Sequence, residues 1–286
     1  MKKILVTGVG GPAGRSVSAM LIERGIPIIG TDMRQLESND FPFVRVPAAY
    51  QPGFLTEIRK LAKENNVGLI IPTVSEELPV IASGWLPTDF PPVLVSSATA
   101  VHIANDKFLT ADILSEHGVA VPRFILPSQA RSPDDIDREI GWPCISKPRI
   151  GRGGREVTVH NKDSFKEIAA LGDGYILQEF ASGTDYAPNV YIDPAGQNLV
   201  VALEKTELKE GIVGNARSVR RVEEKDVESA ALAAACAVGL SGPLDIDIRR
   251  RADGVPVVLE INARFGANIR FAPEILEAAL SYQVQA

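Results

Sequence analysis

Cysteine and histidine are scarce in this sequence, and no long apolar run occurs. The 2 cysteines are too few for a disulfide framework or a zinc site. The 3 histidines are scattered, so we interpret them as surface or core residues and not as metal ligands. No apolar run reaches the roughly 18 residues that a membrane helix needs, and the N-terminus reads as a strand and not as a signal peptide. The sequence therefore predicts a cytoplasmic protein without a membrane partner.

A basic excess and several catalytic motifs are also missing. The net charge of −6 argues against a nucleic-acid partner, which would favour a basic surface. No Gly-Lys pair occurs, which excludes a P-loop, and there is no Gly-x-Ser-x-Gly elbow. The composition is 45% apolar and 23% charged, which is ordinary for a globular protein of about two domains.

The first hundred residues alternate short apolar strands with helices. Lys2–Val6 is followed by a glycine-rich turn at 8–14, a helical pattern at Ser16–Arg24 and a second apolar run at Ile26–Gly30. This order predicts a parallel, helix-flanked, Rossmann-like lobe that closes near residue 100. After Pro122, short strands and hairpins mix with helices. The predicted class is therefore α/β, with α+β packing in the C-terminal part.

The most informative segment is a predicted hairpin at 244–262. Both arms alternate apolar and polar residues, and Asp253-Gly254 is typical of a two-residue turn. This pairing puts Asp247 opposite Glu260 and Asp245 opposite Asn262, with all four polar side chains on one face. Facing carboxylates repel each other, so the face predicts a hard cation such as Mg²⁺. The alternative is a solvated outer face neutralised by Arg249 and Arg264.

A second segment places a lysine at the end of a predicted strand, Cys144–Lys147, before a loop rich in glycine and arginine. The loop glycines are Gly151, Gly153 and Gly154. Such a loop can close over a polyphosphate, because its backbone N–H groups and its cations oppose the phosphate charge. The alternative is a mobile basic loop without a ligand.

Two further features are weaker by themselves. Lys107 lies in the first turn of a predicted helix, capped by Asn105 or Asp106, where a positive charge opposes the helix dipole. This unfavourable position points to function, although a solvated lysine would also explain it. The linker Gln178–Asp185 offers backbone groups for a purine edge and an acid for ribose hydroxyls, and in isolation it is a simple hairpin connection.

In their order and spacing, these segments resemble the motifs of the ATP-grasp superfamily. Within it, the sequence resembles most the carboxylate–amine ligases similar to the carbamoyl-phosphate synthase large chain. The resemblance covers roughly residues 105–270, and its motifs are Asp106-Lys107, Ser146-Lys147-Pro148 with the loop 151–154, Gln178-Glu179-Phe180 with Gly183 and Asp185, and Leu259–Arg264. It implies a Rossmann-like domain at 1–104 and an ATP-grasp domain at 105–286, with a small lid-like subdomain at about 123–180.

The resemblance also implies the ligands of ATP. Lys107 and Lys147 would contact its phosphates, and the loop with Gly151, Gly153 and Gly154 would cover them. The residues implied at the adenine are Gln178, Glu179, Phe180 and Ala181. Asp185 would hold the ribose, at a position where the family more often has glutamate.

The implied metal is Mg²⁺, with Mn²⁺ as an alternative, and its implied ligands are Asp247, Glu260 and Asn262. Arg264 and Lys209 are the implied catalytic residues. We expect Lys209 to lie in a mobile loop with Lys205 and Arg217.

The implied enzyme is an ADP-forming ligase that makes a C–N bond. It would activate a small-molecule carboxylate as an acyl phosphate, which an amine or similar nucleophile then captures. A homodimer is the expected assembly.

Two other functions fit parts of the sequence. The first is a nucleotide-binding module or subunit without ligase activity. The other is an NAD(P)-dependent oxidoreductase, since Thr7-Gly8, Gly11 and Gly14 with the later Asp32 match a dinucleotide-binding turn and its ribose acid. The oxidoreductase interpretation does not explain the acidic hairpin at 244–262 or the lysine followed by the glycine-rich loop at 151–154. In addition, no Tyr-x-x-x-Lys occurs in the chain.

Overall fold

The computed structural model describes residues 2–85, 91–151, 153–193, 198–210 and 213–285. Arg152 of the predicted glycine-rich loop lies outside the described residues. In chain order the helices and strands are β1 (Lys3–Thr7), α1 (Pro12–Glu23), β2 (Ile28–Asp32), β3 (Phe43–Arg45), α2 (Phe54–Glu64), β4 (Val67–Ile71), α3 (Leu78–Gly84), α4 (Ala98–Asn105), α5 (Lys107–Glu116), β5 (Phe124–Ile125), α6 (Pro133–Glu139), β6 (Cys144–Pro148), β7 (Thr158–His160), α7 (Phe165–Ala169), β8 (Tyr175–Glu179), β9 (Asp185–Tyr186), β10 (Asn189–Ile192), β11 (Leu199–Val201), β12 (Leu203–Glu210), β13 (Val213–Arg221), α8 (Lys225–Val238), β14 (Gly242–Arg250), β15 (Pro256–Asn262) and α9 (Pro273–Gln285).

The first strands form the predicted parallel sheet, in the order β3-β2-β1-β4. Its central strands read as unbroken apolar runs because helices cover them on both faces; Leu5, Ile29 and Ile70 are all buried. The carboxyl ends of β1 and β4 meet at one edge, which is the edge where open α/β sheets bind their ligands.

The remaining strands form antiparallel sheets. A small sheet has the order β5-β8-β6-β7 and its own apolar core, which includes Ile136, Ile168 and Leu177. The large sheet has the order β11-β10-β14-β9-β12-β13, and β15 pairs with β14. The predicted α/β class with an α+β C-terminal part is confirmed by this arrangement.

The expectation of a mobile loop around residues 205–217 is wrong for its described part. Residues of this segment belong to the antiparallel pair β12 and β13, which continues the large sheet. Irregular register interrupts the pair between Lys205 and Glu207 and again near Leu208. Such shifts break the alternation of apolar and polar residues on which strand prediction depends.

One apolar cluster joins the parallel sheet to the C-terminal part of the chain. Val6 of β1 lies in the same cluster as Tyr191 of β10, Phe265 and Ile275 of α9. The division into domains at 1–104 and 105–286, with a lid at about 123–180, remains a prediction. Within the described ranges, the structure contains no helix that could cross a membrane.

Candidate functional site

A cavity lies between the small antiparallel sheet and the large sheet. Residues predicted for nucleotide or metal binding line it from distant parts of the sequence: Lys107, Lys147, Gly151, Gly153, Gly154, Gln178, Glu179, Ala181, Asp185, Asp247 and Glu260. Asn262 lines a smaller cavity that shares Lys107, Gly151 and Glu260 with the first. The described wall of the main cavity does not include the predicted residues Phe180, Lys209 and Arg264.

The acidic face of the hairpin has the predicted pairing. Asp247 is opposite Glu260, and Asp245 is opposite Asn262. The side chains of Asp247 and Glu260 are each 21% exposed and line the cavity, so the alternative of a solvated outer face is wrong.

The predicted two-residue turn of this hairpin is wrong. The Arg251 N–H donates to the Val255 carbonyl, so the loop contains Ala252, Asp253 and Gly254, with Gly254 at φ 85°. This longer loop moves the pairing by one residue at the turn. A β-bulge at Leu259, between the partners of Ile248 and Asp247, moves it back, and the acids meet as predicted.

Lysines hold both facing acids. Lys107 Nζ is 3.2 Å from Glu260 Oε2. Lys205 Nζ donates to Asp247 Oδ1 and is 3.2 Å from Asp185 Oδ1. The side chain of Lys205 is only 7% exposed, so this residue of the misread segment belongs to the site.

Lys209 is not brought to the cavity. It lies in the same strand as Lys205 and its side chain is exposed. Of the two lysines, only Lys205 lines the described wall of the cavity.

The lysine of β6 meets the same acids from the other side. Lys147 is 8% exposed, and its Nζ donates to the Leu259 carbonyl at 3.0 Å. Burial lowers the pKa of Lys147 to about 8, because the attraction of Glu260 and Asp247 compensates only in part and Lys107 adds repulsion.

The acids have opposite pKa shifts. Burial raises the pKa of Asp247 to about 7, against the attraction of Lys205. Burial also opposes ionisation of Glu260, but the charges of Lys107 and Lys147 outweigh it and lower its pKa to about 2. The pair therefore carries at least one negative charge across the physiological range.

The start of α5 explains how Lys107 is tolerated in the first turn. Asp106 caps the helix by accepting from the N–H groups of Phe108 and Leu109. The Arg149 guanidinium, 2.7 Å from Asp106 at its closest, ties this cap to the end of β6. The cap, the ion pair and Glu260 together offset the dipole penalty, and the helix start holds Lys107 against the acids.

Asp185 is placed at the cavity wall by a contact that the sequence did not predict. Arg249 of β14 is paired with Asp185 of β9 in the sheet register, and its NH2 is 2.9 Å from Asp185 Oδ2. Both side chains are 8% exposed. The alternation of β14 was the available signal, since it puts Arg249 on the same face as Asp247.

Arg264 connects the site to the parallel sheet. Its guanidinium donates to Asn262 Oδ1 at 3.0 Å and to Ser75 Oγ at 3.3 Å. Ser75 follows β4, at the edge where that sheet would bind a ligand. Arg264 therefore lies between the acidic hairpin and the N-terminal lobe, outside the main cavity wall.

Asp32, the last residue of β2, forms hydrogen bonds with the glycine-rich turn and with its own loop. Asp32 is 7% exposed, and its carboxylate accepts from the N–H groups of Gly10 and Arg34, each at 3.0 Å. These contacts hold Asp32 at the position where a dinucleotide-binding fold uses its ribose acid.

The donor set fits a hard divalent cation. The described residues contain no group of three or more His, Cys, Asp and Glu side chains suited to a metal. Asp247 and Glu260 nevertheless supply facing carboxylates, with the Asn262 amide beside them. Such oxygen ligands suit Mg²⁺, which uses few carboxylates and completes its shell with water and substrate phosphates.

A model of the ATP-grasp domain family matches residues 104–268. The chain belongs to the ATP-grasp family. It is similar to carbamoyl-phosphate synthase of Methanobrevibacter smithii, at 24% identity over 140 residues, which is 46% of this chain and 37% of that protein. It is also similar to D-alanine–D-alanine ligase of Cupriavidus taiwanensis, at 27% identity over 192 residues, 61% of this chain and 59% of that protein. The chain thus matches 37% and 59% of the length of these relatives.

A similarity in fold to a solved structure extends beyond the residues that the family model matches. The crystal structure of L-amino acid ligase from Bacillus licheniformis superposes with a TM-score of 0.72 at 16% identity. The superposition covers 98% of this chain and 75% of the ligase.

Proposed function

We propose that this ATP-grasp protein is an ATP- and Mg²⁺-dependent ligase that joins a small-molecule carboxylate to an amine. The observation that carries the proposal is the facing pair Asp247 and Glu260, surrounded in one cavity by Lys107, Lys147 and Lys205. Facing acids suit a divalent cation, and buried lysines suit a polyphosphate, so the cavity fits both parts of Mg²⁺-ATP.

The side chains divide into groups with separate tasks. Asp247, Glu260 and Asn262 would hold Mg²⁺, which supplies charge neutralisation at the phosphates when bound. Lys107 and Lys147 orient the phosphates by charge-assisted hydrogen bonds, and the glycines of the loop 151–154 bring backbone N–H groups to them. Gln178, Glu179 and Ala181 border the adenine, and Asp185 faces the ribose.

The chemistry then requires positioning more than a protein nucleophile. A carboxylate oxygen of the substrate attacks the γ-phosphorus, the bond to the bridging oxygen breaks, and ADP leaves. The amine attacks the carbonyl carbon of the resulting acyl phosphate, phosphate leaves, and the amine nitrogen loses a proton. Arg264, which donates to Asn262 and to Ser75, would steady the acyl phosphate from its position beside the acidic hairpin.

A thermal-shift experiment with ATP, ADP, NAD and NADP, each with and without Mg²⁺, tests the proposal. ATP or ADP is expected to stabilise the protein only with Mg²⁺, by about 2.7 kcal/mol at a hundredfold excess over Kd. A positive result leads to a screen of carboxylates and amines for ADP release. Stabilisation by NAD or NADP alone would refute the proposal.

A further inference from the structure

Each of the two facing acids already carries a lysine as its counterion. Lys205 Nζ donates to Asp247 Oδ1, and Lys107 Nζ is 3.2 Å from Glu260 Oε2. The lysine side chains are only 7% and 8% exposed, so bulk water screens these contacts weakly. The ammonium groups lie at the carboxylate oxygens that a divalent cation would use.

A lysine and a divalent cation cannot share these oxygens at close range. Two positive charges about 4 Å apart repel strongly in a partly buried site, where the effective dielectric constant is well below that of water. A metal that approaches Asp247 must therefore displace the ammonium group of Lys205. Displacement without a new partner would leave that buried charge with one anionic contact fewer, which is costly.

The structure supplies each lysine with a second contact that survives such a displacement. Lys205 Nζ is also 3.2 Å from Asp185 Oδ1, and Asp185 is held in place by Arg249. Lys107 Nζ also donates to the Gly151 carbonyl at 2.8 Å, in the loop expected to cover the phosphates. Both lysines can thus leave the acids while they keep one anchor.

We infer that Lys205 and Lys107 are internal counterions that compete with the metal, so that the divalent cation binds tightly only together with a nucleotide. The polyphosphate gives the displaced ammonium groups a new anionic partner, and the metal takes the vacated carboxylate oxygens. Metal and nucleotide therefore bind with strong positive coupling, each tightening the other by the same factor. This inference rests on the proposed function.

Titration with Mn²⁺, in which electron paramagnetic resonance measures the unbound ion, tests the inference without turnover. The wild type is expected to bind Mn²⁺ weakly, and ADP to tighten the binding at least tenfold. Lys205→Met is expected to bind Mn²⁺ alone at least tenfold more tightly than the wild type, with a smaller gain from ADP. Lys225→Met, at an 84% exposed lysine of α8, is the matched control and should behave as the wild type.

Further variants keep the test decisive. Adding Asp247→Asn to Lys205→Met should abolish the gain, because the competition is for that carboxylate. If Lys205→Met does not fold, Lys107→Met is expected to give the same tightening through Glu260. Unchanged Mn²⁺ affinity in the folded lysine variants, with normal Mg²⁺-dependent ADP binding by the wild type, overturns this inference alone. Failure of the wild type to bind ADP with either metal overturns the proposed function as well.

Discussion

Lys147 donates a hydrogen bond of 3.0 Å from its Nζ to the backbone carbonyl of Leu259. Leu259 is the residue that the β-bulge of β15 leaves without a partner in β14. The residue whose insertion restores the pairing of Asp247 with Glu260 thus also provides the carbonyl that holds Lys147 beside them.

The low pKa of Lys147 predicts how nucleotide binding depends on pH. Its pKa is about 8 in the nucleotide-free protein, and a bound phosphate would raise it. At pH 7 the lysine is already largely protonated, so its contribution to the affinity for Mg²⁺-ADP should be complete there. Above pH 8 binding must take up a proton, so affinity should fall by up to tenfold per pH unit until the pKa of the complex is reached. Calorimetry between pH 7 and about 9.5 measures this slope.

Lys147→Met separates this lysine from other titrating groups. The variant should bind Mg²⁺-ADP more weakly by about 1.5–3 kcal/mol at pH 7, the value of a hydrogen bond to a charged group. Its affinity should no longer change above pH 8. Lys162→Met, at a 54% exposed lysine of the same small sheet region, should keep the wild-type slope. If the affinity of Lys147→Met for Mg²⁺-ADP still falls above pH 8, another titrating group causes the pH dependence.

Glu260→Gln tests the metal site with little change in shape. The substitution removes the charge that holds Lys107 and would hold Mg²⁺, so Mg²⁺ should no longer tighten ADP binding. We expect that tightening, measured by calorimetry with Mg²⁺ and with a chelator, to drop at least tenfold, as when a metal site loses a supporting group. Asp253→Asn, at the tip of the same hairpin, is the control. Full tightening in Glu260→Gln, with its fold verified by circular dichroism, would exclude Glu260 as a ligand.

The alternation of polar and apolar residues was sufficient to predict that Asp245 shares a face of β14 with Asp247, and Glu260 a face of β15 with Asn262. That these two faces coincide depends on the strand register, which the bulge restores after the longer turn. The turn itself was mispredicted, because Asp-Gly is compatible with more than one loop length. The bulge was not predicted, because the alternation of apolar and polar residues carries no mark of it.

The lysines and arginines were harder to predict than the acids. Lys205 lies in a strand pair with irregular register, so its segment has no clear period and reads as a loop. Arg249 could be placed on the acidic face, but its ion pair with Asp185 depends on the pairing of β14 with β9. Local sequence carries no record of which distant strands become neighbours. The family resemblance predicted Lys107 and Lys147 as site residues without that information. It also predicted Lys209, whose side chain is exposed.

Gly266 lies after β15, where the backbone passes close to Asp245 of the acidic face. A Cβ atom at this position would lie 2.4 Å from Cγ of Asp245, well inside contact distance. Gly266→Ala must therefore push the Asp245 carboxyl group or the backbone aside, next to Arg264, which is 3.7 Å from Asp245 Oδ2. We expect a loss of about 1–3 kcal/mol in the free energy of unfolding, as for overpacked interiors.

Gly172→Ala is the matched control, since a Cβ there meets nothing within 4 Å and its backbone is not left-handed. It should change the free energy of unfolding by no more than about 0.5 kcal/mol. Urea denaturation of both variants gives the comparison. If Gly266→Ala is as stable as Gly172→Ala, the segment after β15 has room to move away from Asp245. The close contact would then be no constraint on the site, and Asp245 would have to be held by Arg264 alone.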